Sequence, residues 1–276
     1  MTETPATGSQ KVVRPRGVVR VAGPDAEKYL QGQISQDLDA LDADVPAWSL
    51  LLDPGGKLVS WFRIRREADG AFMLDMEPEV VEATVARLNR FKLRTDAEIT
   101  VEDGWVLTSY FGAGERVEDG GSVADLSWPG FETQGTLDRS PLPDGPLSSD
   151  VIEEARIRAA VPLMGVDIDD ETIPGEGGQP FIDLSVSFTK GCYTGQELVA
   201  RIDSRGGNVP RPLRVLEGDA PIAVGAAVVF EGQEVGTVTS AAGNVGLARL
   251  LRKADIGAAV TVGGLDALVT APTGRS

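Results

Sequence analysis

The sequence predicts an α+β fold followed by a small C-terminal β-barrel, and three patterns lead to this expectation. Two β-rich runs, 49–52 and 58–64, are separated by a Pro-Gly-Gly turn and predict a hairpin. Apolar residues recur every three or four positions within 79–91, which predicts an amphipathic helix packed on a core. From residue 209 onward, short β-rich runs punctuated by glycine predict a barrel of about 65 residues.

The first domain is expected from 16 to 208, between a mobile tail at 1–15 and a barrel domain at 209–276. Its further predicted strands are 18–21, 72–76, 99–101, 105–110 and 123–126. Its further predicted helices are 26–36 and 151–160, the second with Asp150 as N-cap. Turn-rich segments are expected at 112–121 and 141–146. The barrel strands are expected at 213–216, 227–230, 234–240, 245–250, 260–262 and 267–270.

Composition and charge exclude several classes of partner. The chain has 276 residues, 42% hydrophobic and 25% charged, which is typical of a soluble globular protein. A net charge of -16 opposes attraction to a phosphate backbone, so nucleic acid is not expected as a direct ligand. No apolar run approaches the ~20 residues of a membrane span, and the N-terminal segment lacks the hydrophobic stretch of a signal peptide. The expected compartment is therefore the cytoplasm, with no membrane partner.

The absence of histidine excludes several kinds of site. Without histidine the chain cannot form a Ser-His-Asp triad, a His-assisted cysteine protease or a zinc site with His ligands. Its single cysteine can form no internal disulfide and cannot by itself enclose an iron-sulfur cluster, which usually takes four thiolates. No metal site is predicted. Acid–base chemistry is left to carboxylates, lysines, tyrosines or the thiol.

The single cysteine lies in the segment FTKGCYTGQELVAR, residues 188–201, just before a predicted helix. Thr194 and Glu197 have the spacing of a capping box, in which each side chain bonds the other residue's amide. Cys192 would then lie beside a helix N-terminus, and Lys190 would add a positive charge. Both features favour the thiolate form. We therefore predict that Cys192 is a reactive thiol rather than a small buried apolar residue, the more common role of a lone cysteine.

This segment also carries a family resemblance. KGCYTGQE, from Lys190 to Glu197, resembles the defining motif of the YgfZ-type folate-binding proteins, relatives of the glycine-cleavage T-protein that act in iron-sulfur cluster assembly and repair. Five shorter groups of residues are also similar to the family pattern. In the first domain they are Asp25-Ala26; residues 29–33 and Asp37; residues 56–58 and Arg63; and Arg156, Pro162, Gly165 and Asp167. In the barrel the group is residues 236–240 and Ala248. The match covers about residues 16–272, and Ala160 replaces a glycine of the pattern.

The resemblance implies a T-protein-like domain of antiparallel sheets and helices around a central channel that accepts tetrahydrofolate or a one-carbon derivative. Glu176 stands where T-protein relatives carry a pterin-binding glutamate, so it is the candidate for that contact, with a solvated loop residue as the alternative. Tyr193 is a candidate to stack on the ligand or to cover the turn. Gln196 and Glu197 lie in the first helical turn and are candidates for ligand binding, with a purely structural role as capping partner as the alternative for Glu197. Arg201 is a candidate for the folate glutamate tail or an acidic partner.

One departure separates the chain from true aminomethyltransferases. Those enzymes resemble G-G-x-x-D-D at the second strand and use an aspartate there. This chain reads Gly55-Gly56-Lys57-Leu58-Val59-Ser60-Trp61, with no acidic residue between Pro54 and Arg66. Aminomethyl transfer on the glycine-cleavage intermediate is therefore not expected.

Three functions remain open from sequence. The leading hypothesis is a tetrahydrofolate-binding accessory factor for the assembly or repair of iron-sulfur enzymes, whose partners are those enzymes or their assembly machinery. Cys192 is its essential thiol, with Lys190 beside it as the second catalytic candidate. The alternative is a folate-dependent one-carbon transferase of the aminomethyl type, acting on an amine or a tRNA base. The third is a binding module whose cysteine is incidental. The sequence leaves open whether a substrate is turned over.

Overall fold

A curved antiparallel sheet forms the frame of the first domain in the computed structural model, which describes residues 10–41, 45–111, 122–144, 148–204 and 208–274. Within these residues the sheet has seven strands, in the order β2-β3-β4-β1-β5-β7-β6. Their bounds are β1 Gln10–Ala22, β2 Ala47–Leu52, β3 Leu58–Arg66, β4 Phe72–Met76, β5 Glu98–Phe111, β6 Ser122–Trp128 and β7 Phe131–Asp138. The expected hairpin of β2 and β3 is confirmed.

Five α-helices pack around this sheet in the described part of the chain, and a closed barrel follows it. The helices are α1 Ala26–Gln31, α2 Val81–Phe91, α3 Asp150–Arg158, α4 Gln179–Ser185 and α5 Gln196–Ser204. The barrel strands are β8 Leu213–Gly218, β9 Ala227–Phe230, β10 Gln233–Ala242, β11 Val245–Arg249, β12 Ala259–Val262 and β13 Leu265–Thr270. They close in the order β10-β11-β8-β13-β12-β9. The expected α+β class and C-terminal barrel are confirmed.

The sheet begins earlier than the sequence predicts. Residues 10–15 were assigned to a mobile tail, but they belong to β1, which pairs with β5 from Gln10 opposite Phe111 to Ala22 opposite Glu98. Val12 and Val13 are buried by this pairing, and apolar burial stabilises the strand. The tail prediction is therefore wrong for residues 10–15, and residues 1–9 lie outside the described residues.

Three other boundaries differ from the predictions. The helix expected over 26–36 ends at Gln31, because Ile34 forms a β-bridge with Leu51 at the edge of the sheet. Ser149, not Asp150, caps α3, since its hydroxyl accepts a hydrogen bond from the amide of Ile152 at 3.3 Å. The strands expected at 99–101 and 105–110 are one strand, β5. The turn expected at 112–121 lies outside the described residues.

The first domain is joined to the barrel by a buried carboxylate. Asp167, in the loop after α3, accepts hydrogen bonds from Arg156 at 2.9 Å and from the amide of Leu163 at 2.9 Å. From the barrel strand β10 it accepts the hydroxyls of Thr239 at 2.6 Å and Ser240 at 2.7 Å. The Asp167 side chain is fully buried, and four donors compensate its desolvation. This carboxylate therefore fixes how the barrel docks on α3.

None of the helices that the structure describes is long and apolar enough to cross a bilayer.

Candidate functional site

The cysteine motif folds as a turn between α4 and α5 that is held against the end of α1. The amide of Ser187 donates to the carbonyl of Ser35 at 3.0 Å, and the amide of Thr194 donates to the carbonyl of Gly32 at 3.2 Å. These backbone bonds fix the turn at both ends, on either side of Cys192. The turn is therefore a fixed structure rather than a free loop.

Lys190 provides the third attachment of this turn. Its ammonium donates to the carbonyl oxygens of Ile34 at 2.8 Å and Gln36 at 2.7 Å, and to the side-chain oxygen of Gln31 at 3.4 Å. Burial lowers the pKa of Lys190 to about 8, and the nearby carboxylates of Asp37 and Asp39 oppose that shift. The ammonium thus fills a pocket of oxygens at the end of α1. A catalytic role of Lys190 stays a prediction.

Replacing Lys190 tests its part in holding the turn. In Lys190→Met the carbonyl oxygens of Ile34 and Gln36 lose the ammonium donor, while Gln31 keeps the amide of Leu38, so we expect the free energy of unfolding to fall by about 1–3 kcal/mol. Urea denaturation measures this loss. Lys28→Met is the matched control, because Lys28 is exposed on α1 and should change stability by less than about 0.5 kcal/mol. Equal stability of wild type and Lys190→Met would show that the ammonium does not hold the turn.

Cys192 is exposed in the turn. It lines an open surface cleft of about 530 Å³ together with Gly191 and with residues of α1 and its flanking loops, namely Pro24, Glu27, Lys28, Gln31, Gly32 and Asp39. The thiol is accessible to a large reagent or a partner protein. This exposure fits a reactive cysteine better than a packed one, because structural cysteines are usually buried.

Gly191 and Gly195 of the motif differ in whether their positions could accept a side chain. Gly195 has φ +85°, and a Cβ there would lie 2.7 Å from the carbonyl oxygen of Asp53 and 2.7 Å from Cβ of Leu52. Gly191 has no atom within 4 Å of its Cβ position. Gly195 is therefore needed for the close contact between the motif and the β2–β3 hairpin, whereas Gly191 lies in open space.

This difference gives a matched pair of substitutions. Gly195→Ala should lower the free energy of unfolding by about 2 kcal/mol or more, from the left-handed backbone and the contact with Asp53. Gly191→Ala should change it by less than about 0.5 kcal/mol. Chemical denaturation of the two variants checks the prediction, and equal stabilities would contradict it.

At the start of α5, the side chain that hydrogen-bonds back to the preceding turn belongs to Gln196 rather than to Glu197. The side-chain oxygen of Gln196 accepts the amide of Tyr193 at 3.0 Å, while Glu197 is exposed. The reciprocal bonds expected between Thr194 and Glu197 are not formed among the described residues. The predicted capping box is thus replaced by a one-sided closure, because the amide of Thr194 is already bound to α1.

The other candidate residues of the motif are divided between core and surface. Tyr193 is buried in the main hydrophobic core, with the Lys190 ammonium 5.4 Å from its ring centre. Burial raises its pKa to about 12. Glu197 and Arg201 are exposed on α5. Tyr193 therefore covers the turn from inside, and roles of these residues in ligand binding stay predictions.

Glu176 lies away from the cysteine turn, where the first domain meets the barrel. One oxygen accepts the amide of Arg211 at 3.1 Å, and the other lies 3.5 Å from the guanidinium of Arg249. Burial raises the pKa of Glu176, and Arg249 opposes this shift. The carboxylate lines a cleft of about 320 Å³ that also contains Trp128 and Asn208. Both of its oxygens already have protein partners, and its pterin contact stays a prediction.

A separate cavity lies inside the curve of the sheet and combines aromatic rings with guanidinium groups. Its aromatic wall is formed by Trp48 and Trp61, stacked at 4.1 Å between ring centres, and by Phe111 and Phe131, stacked at 5.0 Å. Its charged lining is formed by Arg14, Arg16, Arg63, Arg156 and Glu77. We call this site the Trp–Arg cavity. It suits a flat ring joined to an anionic group.

One guanidinium of the Trp–Arg cavity has no ion-pair partner among the described residues. Arg16 and Arg63 each place Nε 3.1 Å from the same oxygen of Asp75, and Arg16 also pairs with Glu77. Arg156 pairs with both Asp167 and Glu153. Among the described residues, Arg14 makes no hydrogen bond or ion pair. Arg14 is therefore the guanidinium of this cavity that no carboxylate contacts directly.

The free volume of the Trp–Arg cavity is small, about 60 Å³. Typical small-molecule sites have volumes of roughly 300 Å³ or more. A ligand as large as a folate therefore fits only if part of the wall moves.

The Trp–Arg cavity was missed as a site in the sequence, and the three places named above are separate. No described residue that lines the Trp–Arg cavity also lines the Glu176 cleft or the cleft at Cys192. A signal for the cavity was present: Arg14 and Arg16 alternate along a strand and so share one face. Their convergence with Trp61 and Arg156 depends on the sheet order, which sequence spacing does not show.

The fold is that of the glycine-cleavage T-protein. The chain is similar in structure to the glycine cleavage system aminomethyltransferase T from Bartonella henselae, with a TM-score of 0.70 at 16% sequence identity. The match covers 96% of this chain and 86% of that protein. At this identity the likeness establishes the fold. The barrel, residues 211–274, matches the family model described as CAF17, C-terminal beta-barrel domain.

Sequence similarity identifies the family. The chain is 30% identical to the tRNA-modifying protein YgfZ of Serratia proteamaculans in an alignment of length 266 that covers 82% of this chain and 77% of that protein. It is also 30% identical to the tRNA-modifying protein YgfZ of Edwardsiella ictaluri in an alignment of length 240 that covers 73% of this chain and 69% of that protein. The chain therefore belongs to the YgfZ family, as the KGCYTGQE motif indicated.

Proposed function

We propose that this protein binds tetrahydrofolate or a one-carbon derivative in the Trp–Arg cavity and serves iron-sulfur enzymes as an accessory factor, with Cys192 as its working thiol. The observation that carries the proposal is the rigid turn that presents the single thiol of the YgfZ motif to solvent. A thiol in this position can bind an exposed iron or form a mixed disulfide with a partner protein.

The chemistry of the Trp–Arg cavity supports folate as the ligand. A folate has a flat pterin ring, a benzoyl ring and carboxylates, and the cavity offers stacked indoles beside guanidinium groups. Rings stack on indole faces, and guanidinium groups bind carboxylates. We place the folate here rather than beside Glu176, because both oxygens of Glu176 are engaged with Arg211 and Arg249.

An accessory role is favoured over aminomethyl transfer by the residues of β3. The strand presents Trp61 and Arg63 to the cavity, and it has no carboxylate where true aminomethyltransferases are expected to use an aspartate. The cavity also has no histidine, since the chain contains none. Its lining is therefore built to hold a ligand, with few groups that could move a proton.

The names of the curated relatives direct the proposal toward tRNA modification. A net charge of -16 disfavours direct contact with RNA. We therefore infer that the protein acts on tRNA indirectly, by maintaining an iron-sulfur enzyme that modifies it. Such enzymes and their assembly machinery are the proposed partners, and the cytoplasm is the proposed compartment.

Gene deletion with complementation tests this function. In cells lacking the gene, we expect lower activity of iron-sulfur enzymes and fewer tRNA nucleosides whose modification needs a cluster, as measured by mass spectrometry of digested tRNA. The wild-type gene should restore both. Unchanged cluster-enzyme activity in the deletion strain would contradict the proposal. A one-carbon product formed by the purified protein from methylene-tetrahydrofolate and tRNA alone would instead support the transferase alternative.

A further inference from the structure

Arg14 is the guanidinium of the Trp–Arg cavity that lacks a protein partner. It lies on β1 opposite Leu107 of β5, and both side chains line the cavity. The residues two positions before and after it on β1, Val12 and Arg16, line the same cavity, as expected for one face of a strand. Arg14 is therefore placed on the cavity wall by the register of β1 rather than by a flexible loop.

The charges around Arg14 are already used elsewhere. Asp75 is shared by Arg16 and Arg63, and Glu77 is bound to Arg16. Both carboxylates are in direct contact with these two guanidinium groups, and neither forms an ion pair with Arg14. Burial lowers the pKa of Arg14; the carboxylates of Glu77 and Glu153 oppose the shift, and the neighbouring cations of Arg156 and Arg16 add to it.

An unpaired, partly buried cation lowers the stability of the folded state unless a ligand supplies an anionic partner. A buried charge is normally paired, and leaving one unpaired destabilises the folded state. The guanidinium of Arg14 offers several N–H donors in one plane, which match the two oxygens of a carboxylate. The aromatic wall of Trp48, Phe111 and Phe131 lines the same cavity. A carboxylate joined to an aromatic group would complement both parts of this lining.

We infer that Arg14 is a specificity-determining residue that binds a carboxylate of the ligand's benzoylglutamate end, so that the cavity distinguishes folates from free pterins. This inference rests on the proposed function, because it assigns one end of the folate within the same cavity. It makes the benzoylglutamate a required part of the ligand rather than a tail left in solvent.

Calorimetric titration with two ligands tests the inference. The probes are 5-formyltetrahydrofolate, which carries the benzoylglutamate, and 6-methyltetrahydropterin, which lacks it. Arg14→Met should weaken 5-formyltetrahydrofolate binding about 10- to 100-fold, the loss of a charge-assisted hydrogen-bond pair. Its affinity for 6-methyltetrahydropterin should equal that of wild type. Arg14→Lys, which keeps the charge, should lose less than Arg14→Met.

Arg20→Met is the control, because Arg20 lies on the same strand, pairs with Asp69 and does not line the cavity. It should bind both probes like the wild type. The melting temperature of Arg14→Met should equal or exceed that of the wild type, since an unpaired charge is removed. A lower melting temperature, or equal losses for both probes, would show a structural role and overturn the inference.

The remaining outcomes separate the inference from the function it rests on. If Arg14→Met binds 5-formyltetrahydrofolate as tightly as the wild type does, the inference is wrong while folate binding stands. If the wild type binds neither probe, the proposed folate site is wrong, and the inference fails with it.

Discussion

Asp167→Ala should lower the free energy of unfolding by about 3–5 kcal/mol, the cost of removing one carboxylate from a buried ion-pair network. Arg156, which is 1% exposed, keeps its pairing with Glu153 but loses its fully buried partner, and the Thr239 and Ser240 hydroxyls lose their shared acceptor. It also loosens the barrel from α3. Urea denaturation gives the size of the effect, and Asp167→Asn, which keeps an acceptor oxygen, should lose less.

Asp170→Ala is the matched control for this prediction. Asp170 lies in the same loop, is exposed, and makes no hydrogen bond or ion pair among the described residues. Its removal should change stability by less than about 0.5 kcal/mol. If Asp167→Ala lowered the free energy of unfolding by less than about 1 kcal/mol, solvent would reach Arg156, and the Asp167 carboxylate would not be what holds the barrel on α3.

Cys192→Ser should abolish complementation of the deletion strain while leaving the stability of the protein unchanged. The side chain is exposed, so its replacement removes no packing, and serine cannot supply a thiolate. The readouts are iron-sulfur enzyme activity in the strain and the urea midpoint of the purified variant. Thr189→Ala, at an exposed neighbour in the same turn, should complement fully. Full complementation by Cys192→Ser would remove the thiol from the mechanism.

The fold was predictable where local pattern and tertiary structure agree. The hairpin of β2 and β3, helix α2 and the barrel strands follow from periodicity and turn residues, and the structure contains them. Predictions failed where a distant segment decides the local state. Residues 10–15 have a polar, proline-containing sequence, yet pairing with β5 makes them a strand. Ile34 leaves the helical pattern because it bridges to Leu51.

Only the part of the site that is contiguous in the sequence could be predicted. The motif from Lys190 to Gln196 does form one turn with an exposed thiol, as its composition indicated. The contacts of Lys190 with Gln31, Ile34 and Gln36 span 154 residues or more of sequence, so no local pattern contains them. The Trp–Arg cavity combines residues from six strands and α3, and the unpaired state of Arg14 emerges only when every neighbouring ion pair is known.

Titration calorimetry on two cavity-filling variants tests whether folate binds in the Trp–Arg cavity. Ser109→Trp places a large side chain in the Trp–Arg cavity, whereas Asn208→Trp places one in the cleft beside Glu176. With 5-formyltetrahydrofolate as titrant, we expect saturable binding to the wild type and to Asn208→Trp, and none to Ser109→Trp. Binding that survives in Ser109→Trp and is lost in Asn208→Trp would contradict this expectation and move the folate to the Glu176 cleft.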